Sequence, residues 1–264
     1  MPRWFQPETV TVEVGGRPMT IETGRLAKQA AGAAVVTYGE TVVLVTAVTA
    51  KPREGIDFFP LTVDFVEKTS AAGKIPGGFF KREGRLADRE ILVSRFIDRA
   101  IRPLFAEGYR DETQITATVL SADGEYWPDI PAFLGASAAL TLSEIPFLGP
   151  ISAVRVARID GKLIVNPLHS QLPQADLELV VAGSRKALVM VEGSAQEIPE
   201  AELLAALKFA HEAIFPQLDA QEDLQRRAGK PKKMPAPAQD TSAVEARVRQ
   251  MAEAKLEEAL SFRT

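Results

Sequence analysis

Residues 41–48, TVVLVTAV, are apolar or β-branched at every position. An unbroken run of this kind and length predicts a central β-strand that is covered on both faces. Residues 33–38 have the same character, and Gly39-Glu40 between the two runs is a two-residue turn signal. Together the two runs predict a β-hairpin at the centre of a sheet.

Similar patterns predict the other elements of the chain. Strands are predicted at residues 10–14, 18–23, 61–67, 115–121, 151–159, 162–166, 177–182 and 187–191. Helices are predicted from an N-cap at Asp88 to a stop at Pro103, at residues 128–144, and at residues 199–218. Hairpins interrupted by single helices indicate an α+β fold with mixed sheets. The helix at 128–144 is rich in Ala and Gly, which indicates close packing against a sheet.

Residues 73–84 predict a loop, because Gly and Pro recur at positions 73, 76, 77 and 78. Phe79 and Phe80 follow these breakers and are themselves followed by Lys81 and Arg82. Aromatic rings stack on bases and cations follow phosphates, so this composition suits single-stranded nucleic acid. The alternative is that both Phe side chains belong to the core and the cations to a solvated face.

The helix after this loop presents a face of arginines. At about 100° per residue, Arg95, Arg99 and Arg102 fall within about 60° of one another. The opposite side, which we expect to be buried, carries Leu92, Val93, Phe96, Ile97 and Ala100. Residues 68–110 hold ten Lys and Arg against five Asp and Glu, although the whole chain has a net charge of −4. This local excess indicates an anionic partner; alternatively, Asp98 forms ion pairs with the neighbouring arginines.

Composition excludes several classes of protein. The chain has no Cys, so it forms neither a disulfide framework nor a thiolate metal site. It has no apolar run of about 18 residues that could span a membrane, and its first residues lack a signal-peptide core. We therefore expect a cytoplasmic protein without a membrane association. Its 264 residues, 46% of them hydrophobic, suffice for a full core and an appendage.

Composition changes at residues 226–240, RRAGKPKKMPAPAQD, which are typical of a linker. Thr241-Ser242 could cap a helix that is rich in Ala, Glu and Arg and stops abruptly at Thr264. We therefore predict a core at 1–225, a Pro/Lys/Ala-rich linker at 226–240, and the truncated start of a helical domain at 241–264.

Several long motifs are similar to the first half of bacterial polynucleotide phosphorylases. They are GGFFKREGR, SRFIDRAIRPLF, DFFPLTVDF, AAGKIPG, FLGASAALTLSEIPFLGPI and LELVVAGS. The resemblance covers nearly all of residues 5–260. It implies a first RNase PH-like core with β-α-β-α units, followed by the start of an all-helical domain.

The same resemblance implies a function in mRNA turnover. Members degrade single-stranded RNA from 3′ to 5′ by phosphorolysis, release nucleoside diphosphates, and assemble as ring-shaped trimers that can meet other RNA-degradation proteins. Phosphate is the co-substrate and Mg²⁺ the cofactor of the full-length enzyme. The resemblance places Phe79, Phe80, Lys81 and Arg82 in the family's pore-loop motif Phe-Phe-Arg-Arg, with Lys81 as a departure that loses the planar fork of Arg. It also matches Arg95, Arg99 and Arg102 to positions facing the RNA path or a bound anion.

The groups that perform phosphorolysis in the family's second core have no counterparts here. In place of its phosphate-binding Gly-Ser-Ser stand Tyr126, Trp127, Pro128 and Asp129. In place of its metal-binding Asp, Asp and Lys stand Leu172, Glu178 and Val180. We therefore expect no catalytic and no metal-binding residue in this chain, and we expect an RNA-guiding, non-catalytic core.

Other candidate chemistry is weak. Asp176 and Glu178 point to one face of a strand and are expected to be exposed to solvent. His169 is expected in a loop and His211 at the surface of a helix or as a capping residue. Two alternative functions remain open: a stand-alone, non-catalytic RNA-binding ring subunit, and a sensor of anions such as guanosine polyphosphates or citrate.

Overall fold

The computed structural model describes residues 7–52, 55, 58–77, 85–233, 235 and 242–261. Within these ranges the chain folds into two sheets, five α-helices and three short 3₁₀ helices, which confirms the α+β prediction. In the same ranges, no helix is both long and apolar enough to cross a membrane.

The first sheet has six strands in the order β1-β2-β3-β4-β6-β5. Their bounds are β1 Glu8–Val14, β2 Arg17–Thr23, β3 Gly32–Tyr38, β4 Thr41–Ala50, β5 Leu61–Glu67 and β6 Glu112–Ser121. All neighbours are antiparallel except β5, an edge strand that runs parallel to β6. Helix α1 (Asp88–Ile101) lies in the connection between these two strands and packs on β5.

Strand β4 is central, as predicted, but only one of its faces is fully covered. Val43, Val45 and Ala47 have no exposed surface, whereas Leu44 on the opposite face is half-buried. The prediction that both faces are covered is therefore wrong. The alternating side chains of a strand point to opposite sides of the sheet. In the described part of the chain, the side that carries Val43, Val45 and Ala47 packs against a helix, and the side that carries Leu44 does not.

The second sheet has four antiparallel strands in the order β10-β9-β7-β8. Their bounds are β7 Ser152–Ile159, β8 Lys162–Val165, β9 Leu177–Gly183 and β10 Leu188–Ala195. Helix α2 (Asp129–Leu142) contacts strands of both sheets, and all of its residues are buried. A methyl group added at Gly135 would lie 2.5 Å from Cγ2 of Val45. The small residues of α2 therefore allow close approach to the sheet, as the sequence indicated.

Helix α1 begins one position away from its predicted cap. The N-cap is Ala87, and Asp88 is the first helical residue. Of the five side chains expected on the buried side, Val93, Phe96, Ile97 and Ala100 are buried, but Leu92 is 55% exposed. Leu92 instead lines a surface cleft between α1 and the second sheet.

The helix predicted at residues 199–218 is two helices, α3 (Glu200–Ala213) and α4 (Phe215–Ala228). Pro216 in the first turn of α4 explains the break, because proline has no N–H and clashes with the preceding turn. Helix α4 continues to Ala228, so it includes the first residues of the predicted linker. The last described helix, α5 (Ser242–Ser261), has no buried residue.

Candidate nucleic-acid interface

Phe79, Phe80, Lys81 and Arg82 lie outside the described residues. The segment that precedes them leaves β5 through a 3₁₀ turn at Thr69–Ala72. The amide of Ala122, just after β6, donates to the carbonyl oxygen of Ala71 at 3.0 Å. Residues 73–77 are all exposed, Ile75 by 92%. The described part of the predicted loop is therefore at the surface.

One guanidinium on the arginine face of α1 has no partner among the described residues. Arg95 is exposed and makes no hydrogen bond or ion pair with another residue of the described chain. One turn further, the guanidinium of Arg99 lies 3.9 Å from the carboxylate of Glu192 in β10, and both side chains are about half exposed. Exposed pairs at such a distance contribute little stability. Both cations can therefore meet an anion from solvent.

Arg102, the third arginine of this face, is bound within the protein. Its Nε donates to a carboxylate oxygen of Asp98 at 3.0 Å. Its terminal nitrogens donate to the carbonyl oxygens of Phe59 and Leu61, each at 3.1 Å. Within the described chain, Asp98 thus pairs with Arg102 and with neither of the other two arginines.

Side chains of α1 fix the helix along the free side of edge strand β5. The hydroxyl of Ser94 accepts from the amide of Phe65 at 2.9 Å, and the carboxylate of Glu90 accepts from the amide of Glu67 at 2.8 Å. Unpaired edge amides invite pairing with other chains. Here the amides of Phe65 and Glu67 are bonded by side chains of the helix, which attaches α1 to β5.

A second charged cluster surrounds Trp127 at the start of α2. The guanidinium of Arg89 lies 4.4 Å from the centre of the Trp127 ring, and that of Arg155 lies 4.7 Å from it. Arg155 is buried in β7 and forms ion pairs with Asp129 and Glu178. This cluster borders a cleft of about 340 Å³ between α1 and the second sheet.

The sequence interpretation expected Asp176 and Glu178 to be exposed to solvent; both are partly exposed, but each is also paired with an arginine. Glu178 pairs with Arg155, and Asp176, at the start of β9, accepts two hydrogen bonds of 2.7 Å from Arg158. These bonds from Arg158 hold the pKa of the Asp176 carboxyl below its ordinary value. The sequence interpretation missed that Arg155 and Arg158 of β7 are the partners of these two carboxylates. Both arginines interrupt the apolar run SAVRVARI, and a charge in such a run is a signal of a buried ion pair.

The residues that the sequence resemblance matches to metal-binding positions, Leu172, Glu178 and Val180, do not fit a Mg²⁺ ion. The side chains of Leu172 and Val180 carry no oxygen ligand, and the carboxylate of Glu178 is already paired with Arg155. Magnesium requires several oxygen ligands in octahedral geometry. Among the described residues there is also no group of three or more acidic or histidine side chains that could hold a metal ion.

The two histidines have packing partners. His169 meets the ring of Trp127 edge-on, with 4.8 Å between ring centres. His211 on α3 lies 2.8 Å, through Nε2, from the carbonyl oxygen of Ser184 and packs edge-on against Phe215. Both side chains therefore have structural contacts within the fold.

Family models match most of the chain. The model described as the 3′ exoribonuclease family, domain 1, matches residues 15–146, and domain 2 of the same family matches residues 149–213.

Among curated proteins, the chain is similar to polyribonucleotide nucleotidyltransferases. It is 56% identical to that of Geobacter sulfurreducens over 95% of this chain and 36% of the relative. It is 56% identical to that of Bdellovibrio bacteriovorus over 84% and 32%, and 53% identical to that of Brucella ovis over 97% and 36%. The chain thus spans about a third of the length of these relatives.

Among solved structures, rice (Oryza sativa) Rrp46 superposes with a TM-score of 0.60 at 16% identity, over 81% of this chain and 94% of that one. At that identity the likeness concerns the fold alone.

Proposed function

This chain belongs to the 3′ exoribonuclease family and matches both domains of that family, and we propose that it is the RNA-guiding, non-catalytic first core of a phosphorolytic exoribonuclease. The complete enzyme is a polyribonucleotide nucleotidyltransferase that shortens single-stranded RNA from the 3′ end and releases nucleoside diphosphates. It acts as a homotrimer in the cytoplasm, in mRNA turnover with other RNA-degradation proteins. Phosphate and Mg²⁺ act in a second core outside this chain.

The observation that carries this proposal is the exposed guanidinium of Arg95, which has no partner in the described part of the chain and lies beside the loosely paired Arg99. Cations on one exposed helix face attract a phosphate backbone and release its counterions. Arg102 differs, because its donors are already bound to Asp98 and to two carbonyl oxygens. We therefore assign RNA contact chiefly to Arg95 and Arg99, with Arg102 supporting the helix that carries them.

The loop supplies the complementary contact. Phe79 and Phe80 stack on bases, and Lys81 and Arg82 follow the adjacent phosphates. Neither stacking nor phosphate contact distinguishes bases strongly, so binding is nearly independent of sequence.

The absence of chemistry is supported by the start of α2. Pro128 removes a backbone donor where the family's catalytic core binds phosphate. Arg155 forms ion pairs with both Asp129 and Glu178, so both carboxylates already have a partner inside the fold.

The test is the affinity for single-stranded RNA at several salt concentrations. Arg95→Gln should lower the affinity and reduce the salt slope by about 0.7, the contribution of one phosphate contact. The double variant Phe79→Ala, Phe80→Ala should lose about tenfold or more, since stacking contributes about 1–3 kcal/mol per base. Arg226→Gln, which removes an exposed charge on α4, is the control. Wild-type binding by both variants, with unchanged melting temperatures, would refute the proposal.

A further inference from the structure

Glu90 bonds to both ends of the segment that contains the predicted RNA loop. Its side chain is buried, with 7% exposed surface. One carboxylate oxygen accepts from the amide of Glu67, the last residue of β5, at 2.8 Å. The other accepts from the amide of Ala87, the N-cap of α1, at 2.6 Å. One carboxylate therefore bonds both to the residue before and to the residue after the segment 68–86.

We propose that Glu90 is a positioning residue for RNA, because it fixes the two ends of the segment 68–86 next to the arginine face. This rests on the proposed function, in which that segment contacts RNA. We call Glu67, Ala87 and the Glu90 carboxylate the neck.

The chemistry of the neck requires an ionised carboxylate. It accepts with both oxygens at once and makes charge-assisted hydrogen bonds, which are stronger than neutral ones. Its position in the first turn of α1 is also favourable, because the helix dipole attracts negative charge there. Ala87 has no side-chain acceptor for the first turn, so Glu90 alone supplies the side-chain cap to this N-cap amide.

The neck is distinct from the general attachment of α1 to β5. Ser94 makes such an attachment one turn later, where its hydroxyl accepts from the amide of Phe65 and donates to the carbonyl oxygen of Glu90. Unlike Glu90, however, Ser94 bonds to β5 and not to the amide of Ala87. Losing Ser94 should weaken the packing of the helix on the strand without releasing the start of α1 from the end of β5.

A released neck would no longer hold the amides of Glu67 and Ala87 at one carboxylate, so a smaller fraction of the molecules would be competent to bind RNA. Apparent affinity falls in proportion to the competent fraction, so we expect Glu90→Gln to weaken RNA binding by roughly threefold to tenfold. Glutamine keeps one acceptor oxygen but places an NH₂ group against the other amide.

The experiment compares Glu90→Gln with two matched variants in the full chain. Asp88→Asn removes the same charge from the same turn, at an exposed residue outside the neck. If charge alone mattered, both variants would bind the polyanion more tightly, whereas the neck predicts weaker binding only for Glu90→Gln. Ser94→Ala should lower the melting temperature with RNA affinity unchanged. Equal RNA affinities of Glu90→Gln and Asp88→Asn would overturn the proposal.

Two measurements without RNA test the neck separately from the proposed function. Glu90→Gln should accelerate tryptic cleavage after the exposed Lys74 and Arg85, and should speed hydrogen exchange at the amide of Glu67 or Ala87; both rates should stay at wild-type values in Asp88→Asn. If wild type and variants alike bind no RNA, the proposed function fails, and these rates still decide the neck. If Glu90→Gln does not fold, wild-type exchange decides: protection of the Ala87 amide supports the neck, and exchange at the rate of an open amide refutes it.

Discussion

At the scale of single residues, Glu67 shows how burial opposes charge beside the predicted loop. Its carboxylate lies 3.4 Å from the guanidinium of Arg89, at the edge of the cleft that Trp127 also lines. Burial nevertheless raises the pKa of Glu67 above its ordinary value, and Arg89 offsets only part of this effect. The folded state therefore binds the proton of Glu67 more tightly than the unfolded chain does.

From this follows a pH-dependent prediction. Because the folded pKa is the higher one, the contribution of Glu67 to stability is fully present below the unfolded pKa and is lost as pH rises through the folded pKa. Glu67→Gln should therefore increase the free energy of unfolding at pH 7, and the gain should vanish below about pH 4, where both states are protonated. Chemical denaturation at the two pH values measures this, with the exposed Glu212→Gln as control. A loss of stability at pH 7, or an equal gain at both pH values, would contradict it.

Residue spacing predicted which arginines share a face but not which of them are free. Arg95 and Arg99 do lie on the exposed side of α1, and Arg102 is exposed at its C-cap. The partners of Arg102 are carbonyl oxygens of residues 59 and 61, far away in sequence, and the helical period contains no information on them. The same holds for Arg155, whose carboxylate partners come from α2 and β9.

At the scale of elements, the sequence predicted where strands and helices lie, but it did not predict which of their faces are covered by neighbouring layers. The apolar run of β4 predicted a central strand, which is correct, but it could not show that one face of the sheet lacks a helical layer. Leu92 was assigned to the buried side by helical period, yet it borders a cleft because the second sheet does not cover it fully. Burial depends on the neighbouring layer as well as on the periodicity of the element itself.

A comparison of two substitutions in β4 tests this. Val45→Ala should destabilise by about 2 kcal/mol, because two buried methyl groups contribute about 0.8 kcal/mol each and their loss leaves a cavity next to α2. Leu44→Ala removes more atoms but should cost less, because Leu44 is only half-buried. Denaturant midpoints of both variants, with unchanged m-values, measure the difference. A larger cost at Leu44 would show that a further layer covers the opposite face.

At the scale of the whole molecule, the segment after α4 belongs physically to the core for several residues. The amide of Lys230 donates to the carbonyl oxygen of Leu142 at 2.9 Å, and that of Lys233 donates to Glu144 at 2.8 Å. The ammonium of Lys232 donates to the carbonyl oxygens of Leu140 and Ser143 at the end of α2. A Pro/Lys-rich composition is typical of a linker, but it does not reveal that these lysines cap a helix. The domain boundaries at 225 and 240 stay predictions.

Two truncations test where the core ends. A chain that stops after Lys233 should melt at the temperature of the full chain, because α5 has no buried residue. A chain that stops after Gly229 should melt earlier, since the carbonyl oxygens at the end of α2 lose their donors. Thermal melts of the three chains provide the comparison. If the chain that stops after Gly229 melted at the temperature of the full chain, the core would end before Lys230.

The central claim, a core that guides RNA and performs no phosphorolysis, is tested most directly by one incubation. End-labelled poly(A) is mixed with the purified chain, inorganic phosphate and Mg²⁺, and bound RNA and released nucleoside diphosphate are measured in the same sample. We predict retained, salt-sensitive binding with no diphosphate above the background of a mock purification. Release of diphosphate by the chain itself, or no binding at low salt, would contradict the claim.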